Sequence, residues 1–431
     1  MKQHLIAKLW EPLAAGLRIP DWMTFIEDKS VIITELDGRV DPVLRLAGLR
    51  YWVTREFQPA TAEWSPAEKA QGLDRTYRVL LLDDAVADDR LVDRVRQVPT
   101  VEDARRLDVV EAAVPPAELA HQTSIGRSRG EAIGLGYAQA ATRGRPDVTV
   151  AVLDTGVDLG HPELQGRIAQ QADFVDLRGL DTSAFVGDVK DYDGVPDDEV
   201  GHGTHVAGII AGRGLQMDEG IAPECRILAV RVLATMKSGD RLVGAGIVDN
   251  INPAIKWAVD HGADIINMSL GIKHTGGGLP HQDVIKYALA KNVVVVAASG
   301  NDGSPARYYP GALPGVVAVG ASDQGGQPAR FSSFGAEITV MAPGVNILSS
   351  HARHGYAVAS GTSQASPFVA GCVALLVAHA RNQGRVLTTH DLVEILRNTS
   401  DRVDTRTRHR QAGYGLINMT DAMKLLTYSL N

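Results

Sequence analysis

Val148-Thr-Val-Ala-Val-Leu-Asp154 is an almost continuous apolar run that ends on a charge. A strand with one wet face alternates apolar and polar residues. A run that is apolar at nearly every position fits a strand covered on both faces in a parallel sheet. Similar runs recur at Arg226-Ile-Leu-Ala-Val-Arg-Val-Leu233, Ala263-Asp-Ile-Ile-Asn-Met-Ser269, Asn292-Val-Val-Val-Val-Ala-Ala298 and Val316-Val-Ala-Val-Gly320, with helical patterns between them at 202–211, 243–261 and 282–290. Strands alternating with helices predict an α/β domain around a central parallel sheet, with ligand chemistry at the carboxyl ends of the strands.

The chain of 431 residues has room for one large domain and a smaller one. It is 45% hydrophobic, carries a net charge of −8 and has no basic run, which argues against nucleic acid as the main partner. Cys225 and Cys372, far apart and in apolar surroundings, read as small core residues rather than a disulfide framework. Near the N-terminus Lys8 and Glu11 interrupt the chain before a signal-like apolar core forms. No uninterrupted run approaches the roughly 20 apolar residues of a membrane span. The expectation is a cytoplasmic protein, with export lacking a cleaved signal left open.

The division expected is an N-terminal region at 1–120 and a main domain at 121–431. In the first, Ser30-Val-Ile-Ile-Thr-Glu-Leu36 and 49–55 predict strands around a short helix at 41–47, and 59–74 is polar and loop-like. A strand at Tyr77–Asp83, an amphipathic helix at 88–96 and a strand at 108–114 then predict a small separate α+β unit at 76–114. Residues 116–146 read as a linker.

Three residues of the main domain stand where chemistry is expected. Asp154 closes the first strand, either capping the turn or facing a ligand. His202 opens Gly201-His-Gly-Thr-His-Val-Ala-Gly-Ile-Ile-Ala-Gly212, a helix whose first turn is crowded with small residues. His205 shares nearly its face, but no Glu follows in the order of a zinc peptidase. Ser363 lies in Gly361-Thr-Ser-Gln-Ala-Ser-Pro367, ahead of the apolar stretch 368–379. Proline is tolerated in the first helical turn, so Ser363 is expected at or just before the start of a buried helix. Its hydroxyl there either caps the helix or serves as a nucleophile facing backbone N–H groups.

Asp-Thr-Gly, His-Gly-Thr-His and Gly-Thr-Ser-Gln-Ala-Ser-Pro, in that order, resemble the three signatures of the subtilisin-like serine proteases, the subtilases. The resemblance covers about residues 125–426. It implies a three-layer α/β fold with a central parallel sheet, and a serine endopeptidase acting on protein or peptide substrates with no cofactor needed for chemistry. By resemblance Ser363 is the nucleophile, His202 rather than His205 the base, Asp154 its orienting carboxylate and Asn301 an oxyanion donor beside the Ser363 N–H.

The same resemblance sets an extended substrate between Ser269-Leu-Gly271 and Lys237-Ser-Gly-Asp240, the substrate-binding position there falling at Gly239. Gly271 and Ala298-Ser-Gly300 would wall the pocket for the residue before the scissile bond, leaving room for Leu, Phe, Tyr or Met. A loop with Asp188, Asp191, Asp193, Asp197 and the Val195 carbonyl offers the hard oxygen ligands of a structural calcium. Gln364 stands where many secreted relatives have an oxidisable methionine, which predicts resistance to peroxide.

The unit at 76–114 is similar to the inhibitory prodomain of many subtilases. Self-cleavage is then expected in Pro116–Thr123, after Leu119, with residues 1–75 either adding a surface for a regulatory partner or forming part of a permanent regulatory domain. Two other readings stand beside this one: a catalytically silent scaffold that binds peptides, and a sedolisin-type acid peptidase, which His202 in the base position argues against.

Overall fold

The computed structural model describes residues 3–14, 17–83, 85–106, 109–111, 117–119, 130–177, 182–187, 194–239, 241–273 and 279–430. Residues 4–106 build a small α+β unit. Its strands β1 (His4–Leu9), β2 (Tyr51–Arg55), β3 (Thr76–Leu81) and β4 (Val101–Arg106) form an antiparallel sheet in the order β2-β3-β1-β4. Helices α1 (Trp22–Glu27), α2 (Val40–Leu46), α3 (Pro66–Ala70) and α4 (Asp89–Arg96) complete it. The α4 helix starts where Asp88 Oδ1 accepts from Leu91 N at 2.8 Å, and it buries Leu91, Val92 and Val95.

The unit expected at 76–114 is therefore larger, because two of its four strands come from the first 75 residues. Its last strand is Val101–Arg106; of the strand expected at 108–114, Val109–Glu111 is a strand that pairs outside this unit, and 108 and 112–114 lie outside the described residues. Four charges in Val-Glu-Asp-Ala-Arg-Arg hid that strand, since only Val101 and Ala104 turn fully inward. The strand expected at 30–36 is absent; that segment meets β2 through the bond from Val53 N to Ile33 O at 2.8 Å.

Leaving this unit, β5 (Val109–Glu111) and β6 (Ala117–Leu119) each pair with strands of the main domain. The stretch read as linker carries a helix, α5 (Leu135–Ala141).

In the main domain come β7 (Thr149–Asp154), β8 (Ile168–Asp173), α6 (His202–Ala211) and β9 (Arg226–Arg231). A hairpin of β10 (Ala234–Ser238) and β11 (Arg241–Ile247) leads to α7 (Val248–Asp260), so the helix expected from 243 begins at 248. There follow β12 (Ile265–Met268), β13 (Ile272–Lys273), α8 (Gln282–Ala290), β14 (Val294–Ala298), β15 (Tyr308–Tyr309), β16 (Val317–Ser322) and β17 (Ile338–Pro343). The chain closes with the hairpin β18 (Ile347–His351) and β19 (Gly355–Ala359), then α9 (Thr362–Asn382), α10 (Thr389–Thr399) and α11 (Met419–Leu430).

Seven strands form one sheet in the order β17-β16-β14-β12-β7-β9-β8, every neighbouring pair parallel. Alternation splits each central strand between two cores. Val150, Val152, Val294 and Val296 face α6 and α9, whereas Ala151, Leu153, Val295 and Ala297 face α7 and α8. Both faces are dry, which is why the runs are apolar throughout, and each buried Val, Leu or Phe contributes about 1.5–3 kcal/mol. The two strands outside those runs, β8 and β17, are the edges of the sheet, and β8 is the polar one. The α9 helix is long and apolar enough to cross a membrane by composition, yet nearly all of it is buried here.

Candidate active site

In space β7, β12 and β14 are neighbours, so Asp154, Ser269 and the Gly300-Asn301 turn stand side by side at their carboxyl ends. The amino ends of α6 and α9 come down on the same edge. Gly203 makes the close approach of α6 possible: a Cβ there would lie 2.0 Å from Gly156 O and 3.0 Å from the Asp154 Cβ. With α6 so near, His202 Nδ1 donates to Asp154 Oδ1 at 2.6 Å. Both side chains are buried.

A second carboxylate, not singled out in the sequence, fastens this arrangement. Buried Asp198 accepts from Gly201 N (2.7 Å), Thr204 N (2.9 Å), Thr204 Oγ1 (2.6 Å) and Thr155 Oγ1 (2.9 Å). It ties the first turn of α6 to the residue after Asp154. Burial pushes its carboxyl up, and the four donors pull it back.

Burial alone would lower the His202 imidazole, but the charge and hydrogen bond of Asp154, with the charge of Asp198, raise it above 6.5. The reverse holds at His205, which burial and the neighbouring His202 and His351 depress to about 3. Its Nε2 donates to Ile347 O and Ala357 O, both at 3.1 Å, so it joins α6 to the β18–β19 hairpin as a neutral structural group.

Ser363 is the second residue of α9 and Pro367 the sixth, one turn later than the first-turn proline expected. Lacking an N–H, Pro367 leaves Ser363 O without its helical donor. Ser269 Oγ supplies one at 2.8 Å, held in turn by Asn267 Nδ2 at 3.0 Å, while Ser366 Oγ donates to Asn267 Oδ1 at 2.6 Å. The proline thus seats Ser363 on the end of β12. Its Oγ donates to Ser269 O at 3.0 Å and makes no hydrogen bond to His202, whose Nε2 is buried without a partner among the described residues.

Asn301 Oδ1 accepts from Thr362 N at 2.8 Å and Thr362 Oγ1 at 3.0 Å. A backbone N–H only donates, so the amide orientation is fixed and Nδ2 is the end left for another partner. Gln364, next to Ser363, is fully buried with both amide atoms unpaired among the described residues.

Two edges of the main domain receive strands of this chain. Gly239 is the turn of the β10–β11 hairpin, and Asp240 lies outside the described residues. The edge that receives a strand is the far end of β11, where Ala245, Gly246 and Ile247 pair antiparallel with Glu111, Val110 and Val109. On the other side Ala357, Val358 and Ala359 pair with Leu119, Glu118 and Ala117. Moving back from Leu119 to Ala117 therefore leads along β19 toward Gly361 and Ser363, so within β6 Leu119 is paired farther from the serine than Ala117.

The walls expected to leave room for a large side chain are occupied. A Cβ on Gly300 would lie 2.3 Å from the Tyr308 ring, and one on Gly271 would lie 3.0 Å from Tyr308 Cβ. Of the calcium donors, Asp188, Asp191 and Asp193 lie outside the described residues. Asp197 is exposed and its N–H donates to Val195 O at 3.0 Å. Among the described residues no group of three His, Cys, Asp or Glu side chains is gathered as a metal would need. Cys225 and Cys372 are both free and buried.

A family model described as the subtilase family matches residues 145–415. A thermophilic serine proteinase of Bacillus sp. (strain AK1) is 38% identical over 290 residues, 67% of this chain and 64% of that protein. Thermitase of Thermoactinomyces vulgaris is 36% identical over 256 residues, 59% of this chain and 81% of its own. The solved structure of the prenylagaramide maturation protease PagA superposes with a TM-score of 0.56 at 33% identity, covering 68% of this chain and 99% of PagA.

Proposed function

The chain belongs to the subtilase family and is a subtilisin-like serine endopeptidase, and we propose that it cuts through Ser363, His202 and Asp154. Ser363 Oγ leaves its bond to Ser269 O, attacks the scissile carbonyl and gives its proton to His202 Nε2. Asp154 holds the imidazole by Nδ1 and stabilises the cation that forms. The oxyanion is received by Asn301 Nδ2 and the Ser363 N–H. His202 then hands the proton to the leaving amine, and water repeats the cycle on the acyl-enzyme. The observation that carries this reading is the 2.6 Å Asp154–His202 bond with Nε2 left buried and unpaired, ready to accept a proton.

Phenylmethylsulfonyl fluoride is expected to label Ser363 and stop peptide hydrolysis, and Ser363→Ala to abolish both. Unlabelled protein that still binds peptides would favour the silent scaffold.

Regulation by the N-terminal region is part of the proposal. Strand β5 takes the β11 edge and β6 the β19 edge, the places an extended substrate would pair. The self-cut then falls between Glu111 and Ala117, upstream of the site expected from sequence. Full-length Ser363→Ala should stay intact while the wild type shortens, and terminal sequencing should read a new start between 112 and 117; an intact, fully active wild type would remove the zymogen idea. A calcium on the 188–197 loop remains a proposal from its ligand types. A melting temperature that EDTA leaves unchanged would dispose of it.

A further inference from the structure

We infer that Tyr308 closes the pocket for the residue before the scissile bond, so that the enzyme takes substrates with glycine, alanine or serine there. The inference rests on the peptidase reading above and narrows its substrate class. The pocket is located by its rims. Ser269, whose carbonyl accepts from Ser363 Oγ, stands two residues before Gly271, and Asn301, which holds Thr362, directly follows Gly300. The space between Gly271 and Gly300 therefore lies beside the nucleophile, and the Tyr308 side chain fills it.

Three features keep the ring there. Backbone pairing of β13 with β15 sets Lys273 opposite Tyr308 and Ile272 opposite Tyr309, so alternation turns Tyr309 into the core beneath the sheet and Tyr308 toward the pocket. The phenol donates to Asp302 Oδ2 at 2.8 Å, and Asp302 is paired with Lys273, whose ammonium lies 5.5 Å from the ring centroid. Gly300 sits at φ +102 with the ring pressed against it, a position where any side chain would collide. Tyr308 is only 6% exposed. A Leu or Phe side chain would have to expel a ring that is hydrogen-bonded, ion-flanked and pinned by its strand. The chain's own sequence between β5 and β6, Ala112-Ala-Val-Pro-Pro116, offers alanine for the self-cut.

The test uses full-length wild type and Tyr308→Gly, each standardised by phenylmethylsulfonyl labelling of Ser363. The substrates are peptides differing only in the residue before the cut: Gly, Ala, Ser, Leu, Phe or Tyr. Wild type is expected to prefer Ala over Phe by about 10-fold or more in kcat/KM, the scale of a pocket mismatch. Tyr308→Gly is expected to raise the Phe-to-Ala ratio by a similar factor. Wild type cutting after Phe or Leu as fast as after Ala overturns the inference, as does an unmoved ratio in the variant. Should Tyr308→Gly fail to fold by its melting curve, Tyr308→Ala takes its place and the wild-type profile still decides. Labelled enzyme with a Phe preference overturns only this inference, whereas protein that neither labels nor cuts any of the peptides overturns the peptidase reading as well.

Discussion

His202 must be neutral to take the Ser363 proton, and its surroundings favour the charged form. Because Asp154 and Asp198 raise its pKa, the imidazolium persists to higher pH than 6.5, and the acid limb of kcat/KM is expected above that value. Replacing Asp198 by Asn removes one of the two negative charges, so the limb should move to lower pH while the 2.6 Å bond to Asp154 remains. A pH–rate profile checks this, and a limb that stays put would leave Asp198 as a helix fastener only. Stability is expected to fall by about 1–3 kcal/mol, since a carboxamide cannot accept all four bonds. Asp198 escaped sequence reading because one acid in an acidic loop carries no mark of the four donors that fold around it.

At the scale of elements, one proline device appears twice. Pro367 is the sixth residue of α9 and frees Ser363 O; Pro253 is the sixth of α7 and frees Asp249 O, which accepts from Arg78 Nη2 at 2.9 Å. One freed carbonyl seats the nucleophile and the other receives the N-terminal unit. Pro367→Ala restores a helical N–H that competes with Ser269 Oγ for Ser363 O. The melting temperature is expected to hold or rise while kcat falls by about 10-fold, as misplacement of a reacting group costs up to about 10². A kcat equal to wild type would show that the proline does not position Ser363.

Between the N-terminal unit and α7–α8 lies a buried charge network that binds the molecule together. Arg78, fully buried and 4.1 Å over the Trp22 ring, is held twice by Glu56 at 2.7 and 3.0 Å. Asp249 takes Arg105 Nε and His4 Nε2, each at 2.9 Å, and Lys8 reaches Asp283 at 2.9 Å. Burial alone would push Asp249 up, but Arg105, His4 and Arg78 hold it well below the usual carboxylate range. Its contribution is present above 3.8 and lost only as pH falls through that depressed value. Glu56 works the other way: burial, against the pull of Arg78, raises it to about 7, so its contribution is full below 4.5 and fades as pH rises through about 7. Docking is expected to be tightest in mild acid and to loosen above neutrality. Size-exclusion chromatography of the cut enzyme should retain the N-terminal fragment better at pH 5.5 than at pH 8.5. Asp249→Ala removes the carboxylate that holds Arg105 and His4 and should release it at both. Equal retention throughout would remove the titration argument.

The sequence by itself determined the parallel sheet and the order Asp154, His202, Ser363, because both rest on local signals: dry strands are apolar at nearly every position, and the three motifs are short and contiguous. It also marked α6 and α8 at their observed bounds. Only the tertiary structure decided what depends on distant partners. The charged strand Val101–Arg106 and the glycine-bearing β11 become strands through the neighbours that pair with them. Gly271 and Gly300 read as open walls until Tyr308, fixed by a strand pairing with residues 272–273, is found filling the space between them. Periodicity reports how wet a residue is, and it carries no record of which remote side chain will take the room a glycine leaves.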